Sequence, residues 1–335
     1  MMFQVIFMWN LSQPDEEIAE SIQKVKYRGY NPERTYLTPQ FANKLVKGDI
    51  SGLSVSDIVD KYCPARRDLY YRKGINKKYR RRAGNTWGQT AGRFSQSYLA
   101  SLFFEHSKKR NSRNYAVIAK KINKFSIRFR EKNKKELQKL NKLASKEYEN
   151  PDRLLQILKT NGRMEIGVKL VHTILYPNGS YMDSNDLSLE FEGKQVKFYP
   201  NPIEIGISKP STPDFIIEKF KVVGDIKTGV FFNERYPLTC AGYALAYENW
   251  KKKDINWGMI YFLPTRIPIA YAKVITYAQI YIFPIDDDLR AWFLNERDRA
   301  YEIVSKNNPP DFPGDKESCK NCKYNRVCKK MGLNI

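Results

Sequence analysis

The 335-residue chain carries 58 Lys and Arg against 36 Asp and Glu, a formal charge of +22, with 42% hydrophobic residues. That apolar share suffices for a sizeable core and excludes a disordered or fibrous chain. The charge favours a polyanionic partner, and nucleic acid is preferred to membrane because the sequence shows no lipidation motif and no apolar stretch of spanning length.

The first residues, MMFQVIFMWN, form a short apolar run without a basic leader or a small-residue cleavage site, so neither a secretory signal nor a spanning helix is expected. A cytoplasmic chain with reduced thiols is the expectation. The basic residues cluster first in CPARRDLYYRKGINKKYRRR, from Cys63 to Arg82. Arg66, Arg67, Arg80, Arg81 and Arg82 are its candidate phosphate contacts, and the tyrosines of YYRK could stack unpaired bases.

A helix is predicted in NTWGQTAGRFSQSYLASLFFEH, where Trp87, Phe94, Leu99, Leu102 and Phe103 recur at spacings of three and four. From Lys108 to Lys146 a second basic block alternates Lys and Arg with Ile, Phe and Leu at helical spacing. It is either a solvated face above one buried apolar stripe or a surface that tracks a nucleic-acid backbone.

Beyond Arg163 strand-like runs take over, in MEIGVKLVHTILYPNGSYM and DLSLEFEGKQVKFYP. A hairpin, TPDFIIEKFKVVGDIKTG, follows. Helices are then predicted in YPLTCAGYALAYENWKKK and DDDLRAWFLNERDRAYEIVSKN, with WGMIYFLPT as a buried strand between them. The expected organisation is one compact α/β body: an N-terminal segment over 1–84, a basic helical region over 85–165, the sheet-bearing core over 166–305, and a cysteine-rich end over 306–335.

The hairpin carries the chemistry. With its turn centred on Lys219 and Phe220, Asp214 falls opposite Asp225, about 5 Å apart at Cβ. Asp225 and Lys227 share one face of their strand, while Val222, Gly224 and Ile226 take the other. Opposed like charges are destabilising, and a divalent cation reverses the sign. One or two carboxylates suit Mg²⁺ or Mn²⁺, which can activate water for attack on phosphorus while a lysine stabilises the charge that develops. Taken alone, such a trio is also compatible with a surface hairpin in which the lysine neutralises two solvated acids.

Cys319, Cys322 and Cys328 form C-x2-C-x5-C, Cys63 lies far upstream, and Cys240 sits in an apolar helix as a buried structural thiol. Four thiolates can hold zinc or an iron-sulfur cluster, and free thiols remain open on spacing alone.

PDF followed by DIKTG resembles the core of the PD-(D/E)xK nucleases, above all their RecB-like branch. The resemblance implies that Asp214 and Asp225 bind metal and that Lys227 serves catalysis. One cysteine before this core and three after it is similar to the iron-sulfur RecB nucleases, including the Cas-four, AddB and Dna-two families, and implies a [4Fe-4S] cluster on Cys63, Cys319, Cys322 and Cys328. With YRGY and LSVSDIVDKYCPARRDLYYRK, the chain looks most like Csa-one, the Cas-four-like family of archaeal type I-A CRISPR systems. The family's GxxxH helix is matched by GRFSQ, so Gln96 stands at the histidine position, where an amide oxygen is a weaker ligand. Its QxxxY helix is matched by Thr239 and Tyr243.

The fold implied is α/β: a RecB-like core with a mixed central sheet flanked by helices, a helical N-terminal part, and a cluster joining the N- and C-terminal segments. The function implied is a metal-dependent DNA nuclease, an exonuclease on single-stranded or frayed ends, that processes CRISPR spacer precursors beside the integrase proteins. A non-catalytic DNA-binding or assembly subunit and a RecB-type DNA-repair nuclease are the alternatives.

Overall fold

The computed structural model describes residues 35–61, 63–75, 90–98 apart from 92 and 96, 115–143, 197–218, 221–229, 232–264, 279–311, and 319–330 apart from 320, 321 and 323. The runs around Met164–Tyr181 and Asp186–Val196, expected as strands, lie outside the described residues.

The N-terminal part is helical. α1 (Pro39–Lys47) starts on a proline, whose missing N–H costs nothing at a first turn, and stops at Gly48 in the left-handed conformation with φ 77°. α2 (Val55–Val59) opens with a capping box, in which the Ser54 hydroxyl accepts from the Asp57 N–H and the Asp57 carboxylate accepts from the Ser54 N–H. α3 (Arg67–Leu69) runs into a π-helical turn over Tyr70–Gly74. The basic block forms α4 (Tyr115–Lys132) and α5 (Lys134–Leu143). Phe129, Leu137 and Leu140 are buried while Arg128, Lys132 and Lys139 are exposed, which is the amphipathic stripe its spacing predicts. Phe125 and Phe129 meet Phe94 and Tyr98, and the described residues between 90 and 98 are helical.

After the short α6 (Pro202–Ile205) comes the sheet, in the order β1 (Phe215–Ile217), β2 (Val222–Gly229), β3 (Trp257–Pro264) and β4 (Gln279–Pro284). β1 and β2 pair antiparallel, β2 and β3 parallel, and β3 and β4 antiparallel, so the sheet is mixed, as expected. The parallel pair requires a crossover, and α7 (Tyr236–Lys251) supplies it. β4, a short apolar run, is a strand the sequence patterning did not single out.

The principal core lies between one sheet face, with Val223, Ile260 and Phe262, and α7, with Leu238, Ala241 and Leu245; α8 (Asp287–Val304) and α2 close over α7. Gly242 makes this approach possible, because a Cβ there would stand 2.5 Å from Phe293 and 2.8 Å from Val55. A smaller core packs Tyr70 and Tyr71 of the N-terminal part against Tyr324, Val327 and Cys328 on and beside α9 (Asn325–Lys330), with Tyr71 and Tyr324 stacked at 5.8 Å. Chain ends distant in sequence therefore meet through aromatic packing.

Polar contacts fix the same geometry. Arg290 holds Glu248 with two hydrogen bonds of 2.6 and 2.8 Å, joining α8 to the end of α7. Glu296, in α8, gathers Lys61 at 3.1 Å, Arg66 at 2.6 Å and Arg235 at 2.9 Å. Burial raises the energy of its charge, but these cations more than offset that and bring the carboxyl pKa down from 4.5 to about 2. A carboxylate with a depressed folded pKa contributes stability that is complete above its unfolded value. That contribution is lost as pH falls from about 4.5 to about 2. Glu296→Ala should lower the unfolding free energy by about 3–5 kcal/mol at neutral pH, since it strands buried cations. Urea unfolding of both proteins between neutral and acid pH should show the two curves converging at the acid end.

Candidate active site and cysteine cavity

The β1–β2 register pairs Phe215 with Gly224, Ile216 with Val223 and Ile217 with Val222. Continued by one residue, it sets Asp214 opposite Asp225, the juxtaposition predicted from the sequence. The Asp214 carboxylate also accepts a 2.6 Å hydrogen bond from the Ile226 N–H, which ties the residue before β1 to the middle of β2. Asp225 is 5% exposed, and its Oδ2 stands 2.5 Å from Lys227 Nζ.

These groups perturb one another. Burial, then the neighbouring Asp225 charge, pushes the Asp214 carboxyl well above the usual carboxylate range. Burial favours a neutral Lys227, but the carboxylates, Asp225 foremost, outweigh it and keep the ammonium charged beyond its ordinary range. α7 covers this face of the sheet. Its first residue, Tyr236, lies with its ring 5.6 Å from Lys227 Nζ, and Tyr243 two turns on is held in its hydroxyl form by burial and by Asp225 and Asp214. The structure thus brings Asp214, Asp225, Lys227 and Tyr243 together. Thr239 is buried on the same helix, and Cys240 is a fully buried thiol 3.7 Å from the Met259 carbonyl, the structural role expected for it. Gln96 lies outside the described residues.

A second site forms between the chain ends. Cys63, Cys319, Cys322 and Cys328 line one cavity with Arg67, Asp68, Tyr324 and Asn325. None of the four is in a disulfide, three are buried, and Cys322 is partly exposed. Among the described residues, no three His, Cys, Asp or Glu side chains stand as a ready ligand set for one metal ion. The thiols instead wall a shared space, and the donor set of four soft sulfurs fits a cluster or a thiolate-bound metal. Burial raises the Cys322 thiol pKa, whereas Arg67, in hydrogen-bond reach of Cys328, sets a fixed positive charge against the cavity.

Arg66 and Arg67 were expected on a DNA-facing surface, and their position corrects that expectation. They are 3% and 5% exposed. Arg66 donates to Glu296 and to the Ile58 carbonyl, and Arg67 to Tyr71 and to the Pro310 carbonyl. Each guanidinium is held by a nearby acceptor and by one more than two hundred positions away. Arg80, Arg81 and Arg82 lie outside the described residues. The sequence pattern missed Glu296, one acid among several on α8, which only its tertiary contacts distinguish.

Residues 200–331 match the family described as CRISPR-associated exonuclease Csa1. A protein of that name from Saccharolobus solfataricus is 30% identical over 115 residues, which is 34% of this chain and 36% of that protein. No solved structure matches the chain. No helix among the described residues is long and apolar enough to cross a membrane.

Burial and the Asp225 charge beside it disfavour a charge on Asp214 in the cation-free protein. A carboxyl whose folded pKa is raised loses stability for the fold as pH climbs above its unfolded value. Asp214→Asn should therefore stabilise the cation-free protein near neutral pH, with the gain vanishing near the ordinary carboxylate pKa of 3.8. Urea titrations at the two ends of that range check it.

Over residues 200–331, which hold Asp214, Asp225, Lys227, Tyr243 and three of the four cavity cysteines, the chain is similar to the Csa1 family of CRISPR-associated exonucleases.

Proposed function

We propose that the protein is a metal-dependent deoxyribonuclease that trims single-stranded or frayed DNA ends in CRISPR adaptation, with Asp214 and Asp225 as its metal-binding acids. The observation that carries this reading is the cross-strand opposition of Asp214 and Asp225 beside a lysine held charged. Two carboxylates packed this way on a chain of charge +22 call for a cation between them, and hard oxygen donors suit Mg²⁺ or Mn²⁺. When bound, such an ion supplies Lewis-acid polarisation of the phosphoryl group and activation of water.

The remaining work falls to the chain. Lys227, held 2.5 Å from Asp225, is placed to stabilise negative charge developing on the phosphate. Tyr243, kept as a hydroxyl, can donate a hydrogen bond to a phosphate oxygen. α7 and the sheet hold these groups on rigid elements, so their relative positions are set before substrate arrives. The exposed Lys and Arg of α4 and α5 supply a backbone-tracking surface for the DNA. Integrase proteins are the proposed partners.

Cys63, Cys319, Cys322 and Cys328 are the proposed ligands of a [4Fe-4S] cluster, a role supported by their common cavity and by the Arg67 charge beside it. Such a cluster would add covalent ties to the aromatic packing that already joins the chain ends.

On single-stranded DNA with Mn²⁺, Asp225→Ala and Lys227→Ala should each lower the cleavage rate by at least about 10²-fold. Residual cleavage equal to wild type in both would defeat the catalytic reading and favour a DNA-binding or assembly subunit. Protein purified without oxygen should be brown and hold about four irons; Cys63→Ser should lose the colour and unfold at a lower temperature. Colourless protein with one zinc would refute the cluster.

A further inference from the structure

The end of α7 remote from the hairpin carries an aromatic and basic cluster that neither the acids nor the cysteine cavity uses. Phe198 bridges antiparallel to Ser211, with backbone hydrogen bonds of 2.7 and 2.9 Å in the two directions. Burial alternates around it as in a strand: Phe198 is fully buried, whereas Lys197 and Tyr199 are exposed, Tyr199 at 50%. The other flank of Tyr199 is held as well, because the Asn201 N–H donates to Asn249 Oδ1 of α7 at 2.7 Å. Trp250, the next residue on α7, is packed by the rings of Phe198 at 6.0 Å and Tyr247 at 6.4 Å. It meets Tyr199 at 5.8 Å with the ring planes at 68°, edge to face. Among the described residues no ring lies flat on Tyr199, although its backbone is fixed from both sides.

Cations surround this ring pair. Lys251 sets its ammonium 4.0 Å from the centre of the Trp250 ring, and the exposed Lys252 and Lys253 follow it out of the helix. The neighbouring acids already have partners: Glu204 stands 4.0 Å from Lys252, and Asp254 3.9 Å from Lys221. Lys197 and Lys253 have no acidic partner among the described residues. An aromatic ring held in place with a face open to solvent, set among unmatched ammonium groups, suits a ligand that brings both unpaired bases and phosphates. A duplex keeps its bases stacked inside and offers this surface phosphates alone, and an apolar peptide would leave the lysines unmatched. The cluster is also separate from the hairpin. At about 1.5 Å per residue, the run of α7 from Tyr236, beside Lys227, to Trp250 spans about 20 Å.

We propose that Tyr199, set against Trp250 and flanked by Lys197, Lys251 and Lys253, is a stacking platform for unpaired bases of a single-stranded nucleic acid. It shares its nucleic-acid partner with the reading above but depends on neither the metal nor cleavage. Stacking of one base on an aromatic side chain raises affinity by about 10–100-fold, and each lysine that meets a phosphate adds to the salt dependence of binding.

The test is fluorescence anisotropy of a labelled single-stranded oligonucleotide, and of the blunt duplex of the same sequence, titrated with the full-length protein without added divalent cation. Tyr199→Ala and Tyr199→Leu should each weaken single-strand binding by about tenfold and duplex binding by less than about threefold, whereas Tyr199→Phe, which keeps the ring, should stay within about threefold of wild type. The alanine and leucine variants differ in size, so whichever retains the wild-type near-ultraviolet circular dichroism gives the result. Lys197→Gln combined with Lys253→Gln should reduce the slope of log affinity against log salt for the single strand by about 1.4. Unchanged single-strand affinity in the ringless variant overturns the platform, as does an equal loss for single strand and duplex or an equal loss in Tyr199→Phe. An unchanged salt slope in the lysine pair also overturns it. A shifted sedimentation coefficient in the ringless variant, with single-strand affinity intact, assigns the face to a second copy of the chain and overturns the platform too. Wild-type protein that binds neither oligonucleotide defeats the nucleic-acid partner itself, and the platform with it.

Discussion

Glu296 is the joint on which the described structure turns. A carboxylate 3% exposed on its side chain would be prohibitively costly alone, and it is held by Lys61, Arg66 and Arg235 at hydrogen-bonding distance. These cations come from the loop after α2 and from the residue before α7. One side chain on α8 therefore fixes the entry of the crossover helix and the path of the chain from Asp60 to Arg66. Hydrophobic packing among α2, α7 and α8 brings the helices together, as Gly242 against Phe293 and Val55 shows, but it is non-directional. The ion cluster supplies the register.

The opposed acids of the hairpin spend stability that this scaffold provides. Asp214 is displaced upward by burial and by Asp225, and Asp225 is buried against Lys227. A hairpin selected for stability alone would place apolar or oppositely charged residues across from each other. The persistence of the pair at the edge of a core that includes Val223, Ile260 and Phe262 is understandable if the charges have a ligand to meet.

Much of this was legible in the sequence where the signal is local. The hairpin register followed from the turn position, because side chains alternate with a period of two and a one-residue slip would have turned Val223 out of the core. α7, β3 and α8 followed from apolar periodicity and run length, and Cys240 from its apolar helix. The run CPARRDLYYRK misled for a physical reason: composition marks it as a basic surface, whereas Arg66 and Arg67 point inward to acceptors on α8 and at Pro310. No local pattern announces that a charge will be matched by a residue more than two hundred positions away.

The contacts of Val59, Lys61, Cys63, Arg66 and Arg67 lie between the start of α7 and the cysteine cavity. Cys63 and Arg67 line the cysteine cavity, and Lys61 and Arg66 anchor the same stretch to Glu296. Cys63 is three residues from Asp60, and the Arg66 N–H donates to its carbonyl at 2.8 Å, closing a tight turn with little slack. The contacts that fix the start of α7 and those that fix Cys63 are therefore few and shared, because Arg66 bonds to both Glu296 and Cys63 while Glu296 also holds Arg235.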